Sequence, residues 1–317
     1  MGEINIKNSV YRKREEKSFD IEVITPMFLG GADGTGAELR TASIKGALRF
    51  WWRALYESDD IKAMREKEAR IFGSTDKKSD LIIQIEYPSS LKPILQNLPK
   101  GKMESVSGKT FKVSVIEYLA FGLYEYRREE RGNNFFRYHI PVGSKFTARL
   151  IFSKEYEKEI MDSFKALISF SGLGSRSRNG FGSIYAKDCY LSPDSSCDLR
   201  LYTAFSKEAI CFHSNNESQS WFNALSEIGS IYSQARKSLE RRHSFERRAL
   251  IAKPLIVRNE ICIKERHSKP YFLHVNKLPN GKYQGQILFL PYLYHEEKNR
   301  AAYKSACEAL NEELQNN

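Results

Sequence analysis

The sequence predicts an α+β protein in which antiparallel sheet carries helices on one face, and three observations lead there. Short stretches of period-two alternation recur along the chain, helical stripes fall between them, and glycine, proline and asparagine punctuate the joins. At 317 residues with 41% hydrophobic content, the chain is long enough for two domains with a core each.

FDIEVI, Phe19 to Ile24, alternates apolar Phe19, Ile21 and Val23 with acidic Asp20 and Glu22 and reads as the first strand. A glycine-rich loop, Thr25 to Arg40, follows. Ser43 is placed to cap a helix reaching Tyr56, whose Ile44, Ala47, Leu48, Trp51 and Leu55 form one apolar stripe. A second helix from Asp60 to Phe72 stops at Gly73, and LIIQIEY, Leu81 to Tyr87, is a strand closed by Pro88. Residues 89–135 read as an insertion with charged patches and one short helix or strand around Val113 to Tyr124. Lys145 to Phe152 alternates as a strand, Glu155 to Phe170 is a helix, and Phe181 to Tyr190 is a last strand. Without the insertion the order is strand, helix, strand, strand, helix, strand. This is the split βαβ, ferredoxin-like unit that RNA-recognition folds share.

That unit makes the first domain, residues 1–192. The second, residues 193–317, is predicted as a less regular α+β domain. It has a helix at Ser218 to Leu239, strands at Pro254 to Arg258, Phe272 to Asn276 and Gln286 to Leu290, a hairpin turning at Asn280-Gly281, and a terminal helix from Glu296 to Glu313.

Lys and Arg outnumber Asp and Glu by 50 to 39, a formal charge of +11, which favours a polyanionic partner, nucleic acid ahead of a membrane surface. No apolar run approaches the ~18 residues of a membrane span and no signal peptide is evident, so a cytoplasmic protein is expected. The 5 cysteines never form C-x-x-C, which argues against zinc and a disulfide framework. No metal or cofactor is expected.

Two segments concentrate cations. On the first helix Lys45, Arg49 and Arg53 stand at successive i+4 steps beside Trp52 and Tyr56, a mildly repulsive stack that an anion would relieve. Arg40, just ahead of that helix, is grouped with them; a solvated cationic face is the plain alternative. The second segment is GLGSRSRNGFG, comprising Gly172, Gly174, Ser175, Arg176, Ser177, Arg178, Asn179, Gly180 and Gly182. Its glycines permit a backbone that aims N–H groups at an anion, and its arginines offer forked donors to phosphate. A flexible connection is the bland alternative. Ser177 stands where a dinucleotide fingerprint needs glycine, and no P-loop spacing is present in the loop. Trp52, Tyr56 and Phe181 are candidates for base stacking or for the core. The basic run Arg236 to Arg248 suits either a solvated helix end or a contact to RNA or a neighbouring subunit.

The stretch TPMFLGGADGTGAELRTASIKGALRFWWRAL, Thr25 to Leu55, resembles the first strand, loop and helix of RAMP proteins, the repeat-associated subunits of CRISPR effectors. More closely, it resembles the first RAMP subunits of type III-B Cmr complexes. These carry S-[IL]-[RK]-G-x-L-R-x-W-W-R at this helix, matched here by Ser43, Ile44, Lys45, Gly46, Leu48, Arg49, Trp51, Trp52 and Arg53. The family's glycine-rich loop after the second helix corresponds to Gly172 to Gly182, with smaller echoes at EARIFGS, HIPVGSKF and AKPLIVR.

The resemblance implies two ferredoxin-like domains, other RAMP subunits of a Cmr complex as partners, and contacts to the 3′ portion of a guide RNA or to paired target RNA. Base pairing then reads sequence while the protein holds the backbone. Guide-processing relatives use a histidine, and none of the six here lies in the two cation-rich segments. A repeating backbone relative cleaves target RNA with metal and an acidic residue in the loop before this helix, where Asp33 and Glu38 stand. A non-catalytic RNA-binding subunit is therefore expected, with metal-dependent cleavage through Asp33 and Glu38, or a protein-only architectural cap, as alternatives.

Overall fold

Strand β1 (Arg14–Val23) turns Ile21 and Val23 inward and Asp20 and Glu22 outward, so its charge alternation is the mark of a sheet with one buried face. The computed structural model describes residues 13–31, 36–100, 103–105, 112–192, 197–240, 246–252 and 267–316. After β1 come α1 (Thr41–Leu55), α2 (Ile61–Phe72) and β2 (Ile82–Glu86). The insertion holds β3 (Met103–Ser105), β4 (Lys112–Ser114), α3 (Val115–Leu119), β5 (Tyr124–Arg127) and β6 (Gly132–Phe135). The first unit closes with β7 (Lys145–Ser153), α4 (Glu157–Phe170) and β8 (Ile184–Ala186). Then follow β9 (Ile210–His213), α5 (Trp221–Ser238), α6 (Glu246–Ile251), β10 (Tyr271–Lys277), β11 (Tyr283–Phe289) and α7 (Arg300–Gln315).

The first sheet has the order β2-β7-β1-β8, all antiparallel, which is the ferredoxin-like order. Phe146, Ala148, Leu150 and Phe152 of β7 share its buried face with Ile21. On the open face Arg149 pairs with Glu16 at 3.2 Å and Glu86 at 2.9 Å, while Lys277 holds Glu22 at 2.8 Å. That face is a self-neutralised polar surface, unlike the aromatic platform by which RNA-recognition sheets stack bases.

The second sheet, β10-β11-β9, repeats the strand–helix–strand–strand–helix order through β9, α5, β10, β11 and α7. It is buried on both faces. Phe272, Leu288 and Leu290 join Phe50, Trp51 and Phe170, so α1 and α4 lie between the two sheets; Tyr271, Leu273 and Ile287 face α5 and α7. Each core draws on both sides of position 192, since Phe205 and Phe272 belong to the first and Ile24, Phe28 and Phe181 to the second. Together the long-period elements fold as the alternation predicts.

Several local expectations are corrected. Helix α1 begins two residues before Ser43, with Arg40 in the N-cap position and no side-chain cap. The insertion holds two small hairpins and a helix where one element is expected, because β3 to β6 are too short for periodicity to show. The last strand of the first sheet is only three residues, Ile184–Ala186, and β9 has no alternation to announce it. The strand expected at Pro254 to Arg258 lies outside the described residues. Among the described residues, no helix is long and apolar enough to cross a membrane.

Candidate nucleic-acid interface

The glycine-rich loop leaves α4 and is stitched to itself: Gly172 bridges Ser183, and the Leu173 N–H donates to the Gly182 carbonyl at 2.9 Å. Only glycine fits at two turning points. Gly182 has φ +68°, and a Cβ there would lie 2.0 Å from the Leu173 carbonyl oxygen; Gly174 has φ +95°, with a Cβ 2.5 Å from the Phe28 carbonyl oxygen. Several of the loop's backbone N–H groups serve protein acceptors, Ser175 to Phe28 at 2.8 Å, Asn179 to Arg176 at 2.8 Å and Gly182 to Pro26 at 3.0 Å. For these N–H groups the reading of a glycine nest for phosphate is corrected, since they are used inside the protein. Gly172, Gly180 and Gly182 are buried and serve close packing.

The far limb of the loop runs along the second sheet, where Asn179 bridges Leu273 in parallel and the Leu273 N–H donates to the Arg178 carbonyl at 3.1 Å. Arg178 is consequently a pin. It donates to the Lys269 carbonyl at 2.6 Å and lies over the Phe272 ring at 4.4 Å and the Phe50 ring at 5.3 Å; burial draws its pKa down to about 10. Asn179 donates to the Leu119 carbonyl at 2.7 Å and accepts from Lys269 Nζ at 2.6 Å, which clamps loop, insertion and second sheet together. Burial, then the charges of Arg236, Arg178 and Arg176, hold the Lys269 ammonium well below its usual pKa.

Arg176 points the other way. It is exposed, with φ +61°, and its guanidinium lies against Gly122, where a Cβ would come within 2.8 Å of Nη2. Partial burial lowers its pKa. Arg176 and Ser175 face Arg137 and Tyr138 across a cavity of about 420 Å³, floored by Phe28, Leu123 and the glycines Gly30, Gly36 and Gly122. Among the described residues, no carboxylate lines it. Arg40 is exposed and donates to the Gly30 carbonyl at 2.9 Å, which sets it at this rim. Ser177 is half-buried, and its carbonyl accepts from Gly180 at 3.2 Å.

The cation stack of α1 turns toward α2 and the start of β2. Lys45 Nζ donates to Ser79 Oγ at 2.9 Å and the Leu81 carbonyl at 3.0 Å, and burial, then Arg49, lowers its pKa. Arg49 donates to the Gly73 carbonyl and pairs with Glu68 at 3.1 Å, and Arg53 meets the same carboxylate at 3.5 Å. Trp52 is 1% exposed and donates to Glu159 at 2.7 Å; Phe181 is fully buried, and Tyr56 donates to Asp162 at 2.6 Å. None of the three presents a free face to a base. Arg53 and Arg178 do meet at a second cavity of about 560 Å³, which the fold also lines with His267 and His295. Glu38 is exposed and Asp33 lies outside the described residues; among the described residues no cluster of three metal-ligating side chains occurs.

Comparison with known proteins gives this arrangement its family. The model of the RAMP superfamily matches residues 20–185, which takes in the end of β1, all of α1, the glycine loop and Arg137. The chain belongs to the RAMP superfamily. It is 34% identical to the CRISPR system Cmr subunit Cmr1-2 of Pyrococcus furiosus over 184 residues, 53% of this chain and 94% of that protein. It is 33% identical to Cmr1-1 of the same organism over 196 residues, 60% of this chain but about half, 52%, of that longer protein. The crystal structure of Cmr1 from Pyrococcus furiosus in its apo form superposes with a TM-score of 0.58 at 21% identity, covering 94% of this chain and 96% of that one. A chain of the type III-B Cmr-beta complex bound to cognate target RNA superposes with a TM-score of 0.52 at 12% identity, covering 94% and 99%. Both superpositions show that this chain shares the fold of those proteins over nearly its whole length.

On this RAMP scaffold the residues missed by sequence reasoning are Arg137 and Tyr138, in the segment that returns from the insertion to β7. The available signal was the run FFRYH, an arginine between aromatics immediately before the HIPVGSKF echo. In the basic run, Arg236 donates to Tyr118 at 3.1 Å and Arg248 pairs with Glu240 at 3.0 Å, so these two cations hold helices together; 241–245 lie outside the described residues.

Proposed function

We propose that this chain is the Cmr1-type RAMP subunit of a type III-B CRISPR effector in the cytoplasm, binding guide or target RNA without cutting it. The observation that carries the RNA reading is the cavity between the glycine loop and the insertion, where Arg137 and Arg176 face each other, Arg40 stands at the rim, and the described lining holds no carboxylate. A paired or solvated cationic face has acids interleaved, as α1 does with Glu68. Guanidiniums around glycine backbone, with no carboxylate in the described lining, match phosphate oxygens, and they grip phosphate without reading sequence. The 34% identity to Cmr1-2 supports placement beside other Cmr subunits, and the target-RNA-bound Cmr-beta complex supports an RNA partner.

The test is RNA binding by the full chain as a function of salt. Arg176→Ala is expected to weaken binding about equally across sequences and to reduce the log–log salt slope by about 1. Unchanged affinity and slope would remove the cavity from the RNA path. The non-catalytic reading is tested in reconstituted complex with Mg²⁺ and target RNA: Asp33→Ala and Glu38→Ala are expected to leave the cleavage pattern intact, and loss of cuts at one defined position overturns it. A protein-only cap predicts instead that Arg176→Ala disrupts co-purification with partner subunits while free RNA is never bound.

A further inference from the structure

The insertion ends in a segment whose side chains are arranged for contact. Phe136, Arg137 and Tyr138 are three consecutive exposed residues, where a strand would turn its middle residue inward. Both ends are fastened: Phe135 donates to Asn97 Oδ1 at 2.8 Å, His139 to the Ile94 carbonyl at 3.0 Å, and Ile140 to the Met27 carbonyl at 2.9 Å. The backbone is thereby held while the side chains stand in solvent. Phe136 is 38% exposed and Tyr138 40%, and Phe121, next to the cavity-lining Gly122, is 71% exposed. Arg137 lies over the Phe136 ring at 5.4 Å. Tyr138 lines the same cavity as Arg176, and Phe136 and Phe121 are the chain neighbours of the lining residues Arg137 and Gly122.

We propose that the insertion makes this cavity a seat for one unpaired RNA nucleotide, its base stacking on Tyr138 and Phe136 and its phosphates held by Arg137 and Arg176. This rests on the RNA reading above and names the state of the RNA at that site. A cavity of about 420 Å³ falls in the ~300–1,000 Å³ range of small-ligand pockets, room for a base turned out of a strand. A paired base stays inside its duplex, whose phosphates would touch the arginines and leave the aromatic rings bare. Exposed aromatic rings beside cations, with no carboxylate in the described lining, suit a base, because every base has a stacking face and carries its own phosphate.

The test is fluorescence anisotropy of the full chain with a labelled 12-nucleotide RNA, alone and annealed to its complement. The variants are Phe136→Leu with Tyr138→Leu, which keep apolar bulk at exposed positions, and Arg176→Ala; melting temperatures confirm that each is folded. The aromatic variant is expected to bind single-stranded RNA at least about fivefold more weakly, the lower end of one stacking contact, with duplex binding and salt slope unchanged. A 2-aminopurine base in the strand is expected to be quenched by wild type and not by this variant. Equal losses on both RNAs, or no loss on the single strand, overturn the proposal, as does loss of partner-subunit binding with RNA binding intact. If Arg176→Ala weakens both RNAs while the aromatic variant changes neither, only the unpaired-nucleotide seat fails. If Arg176→Ala changes neither, the RNA reading of the cavity fails with it.

Discussion

Helix α1 and the cavity face of the glycine loop both collect arginines next to glycines and aromatics, yet the fold uses them in opposite ways. On α1, Lys45 binds two oxygens from the segment leading into β2, and Arg49 and Arg53 share Glu68 of α2. At the cavity, Arg176 and Arg137 meet glycine backbone and aromatic rings, with no acid in the described lining. The first arrangement neutralises charge to join elements. The second leaves charge available to an anion from outside. A run of cations thus says little about function until the carboxylates that the fold brings to it are known.

The largest expected effect separates the two kinds of glycine in these regions. Gly182→Ala forces a Cβ to 2.0 Å from the Leu173 carbonyl oxygen at φ +68°, and a loss of about 3 kcal/mol or more in denaturant unfolding is expected, with the cavity lost as well. Gly46→Ala on α1 meets nothing within 4 Å and is expected to raise stability by up to ~1 kcal/mol. A mild effect at Gly182 would break the argument that packing, not phosphate, selects the loop's glycines.

Next in size are the cations themselves. Lys45→Met and Arg49→Met are expected to lower unfolding free energy by about 1–3 kcal/mol, since buried carbonyl acceptors lose their donors, with little change in the salt dependence of RNA binding. Arg176→Ala is expected to do the reverse, staying within ~0.5 kcal/mol of wild-type stability while the slope falls. If Arg49→Met flattens the slope as much as Arg176→Ala, the contrast between the faces is wrong. A smaller effect, about 1 kcal/mol in unfolding, is expected from Glu68→Gln, because the arginines it joins are partly solvated.

Acid sharpens the comparison from the protein side. His139 lies 5.1 Å from the Phe28 ring, behind the cavity, and burial pushes its pKa to about 4 from 6.5. The unfolded chain takes up the proton first, so this contribution to stability is complete above about pH 6.5 and is lost as pH falls toward 4. Unfolding free energy measured across that window is expected to drop, and His139→Phe to flatten the drop. His274, fully buried with its pKa also near 4, contributes with the same sign and keeps some slope in that variant.

Much of the scaffold was legible in the sequence because its signals are local. The alternation of Phe19 to Ile24 and Lys145 to Phe152, the stripes of α1 and α4, and the stop at Gly73 with φ +84° each depend on neighbours within a turn or a strand. The site was legible in part. Arg176 and Ser175 line the cavity and Arg40 reaches its rim, whereas Arg178, Asn179, Trp52 and the buried glycines serve the interior. Trp52 illustrates why: its neighbours along α1 do not disclose that Glu159, 107 residues away, accepts its indole proton.

By itself the sequence determined the strand and helix segments, the net positive charge, and the RAMP signature spread over α1 and the glycine loop, because periodicity, composition and motif spacing are properties of the chain read in order. Only the tertiary structure decided which cations reach solvent. Arg178 and Arg176 stand two residues apart in one loop; one is pinned to the Lys269 carbonyl, 91 positions away, and the other faces Arg137 across an open cavity. Accessibility and pairing belong to neighbours that folding brings from a distance, and they separate a structural arginine from one free to hold a phosphate.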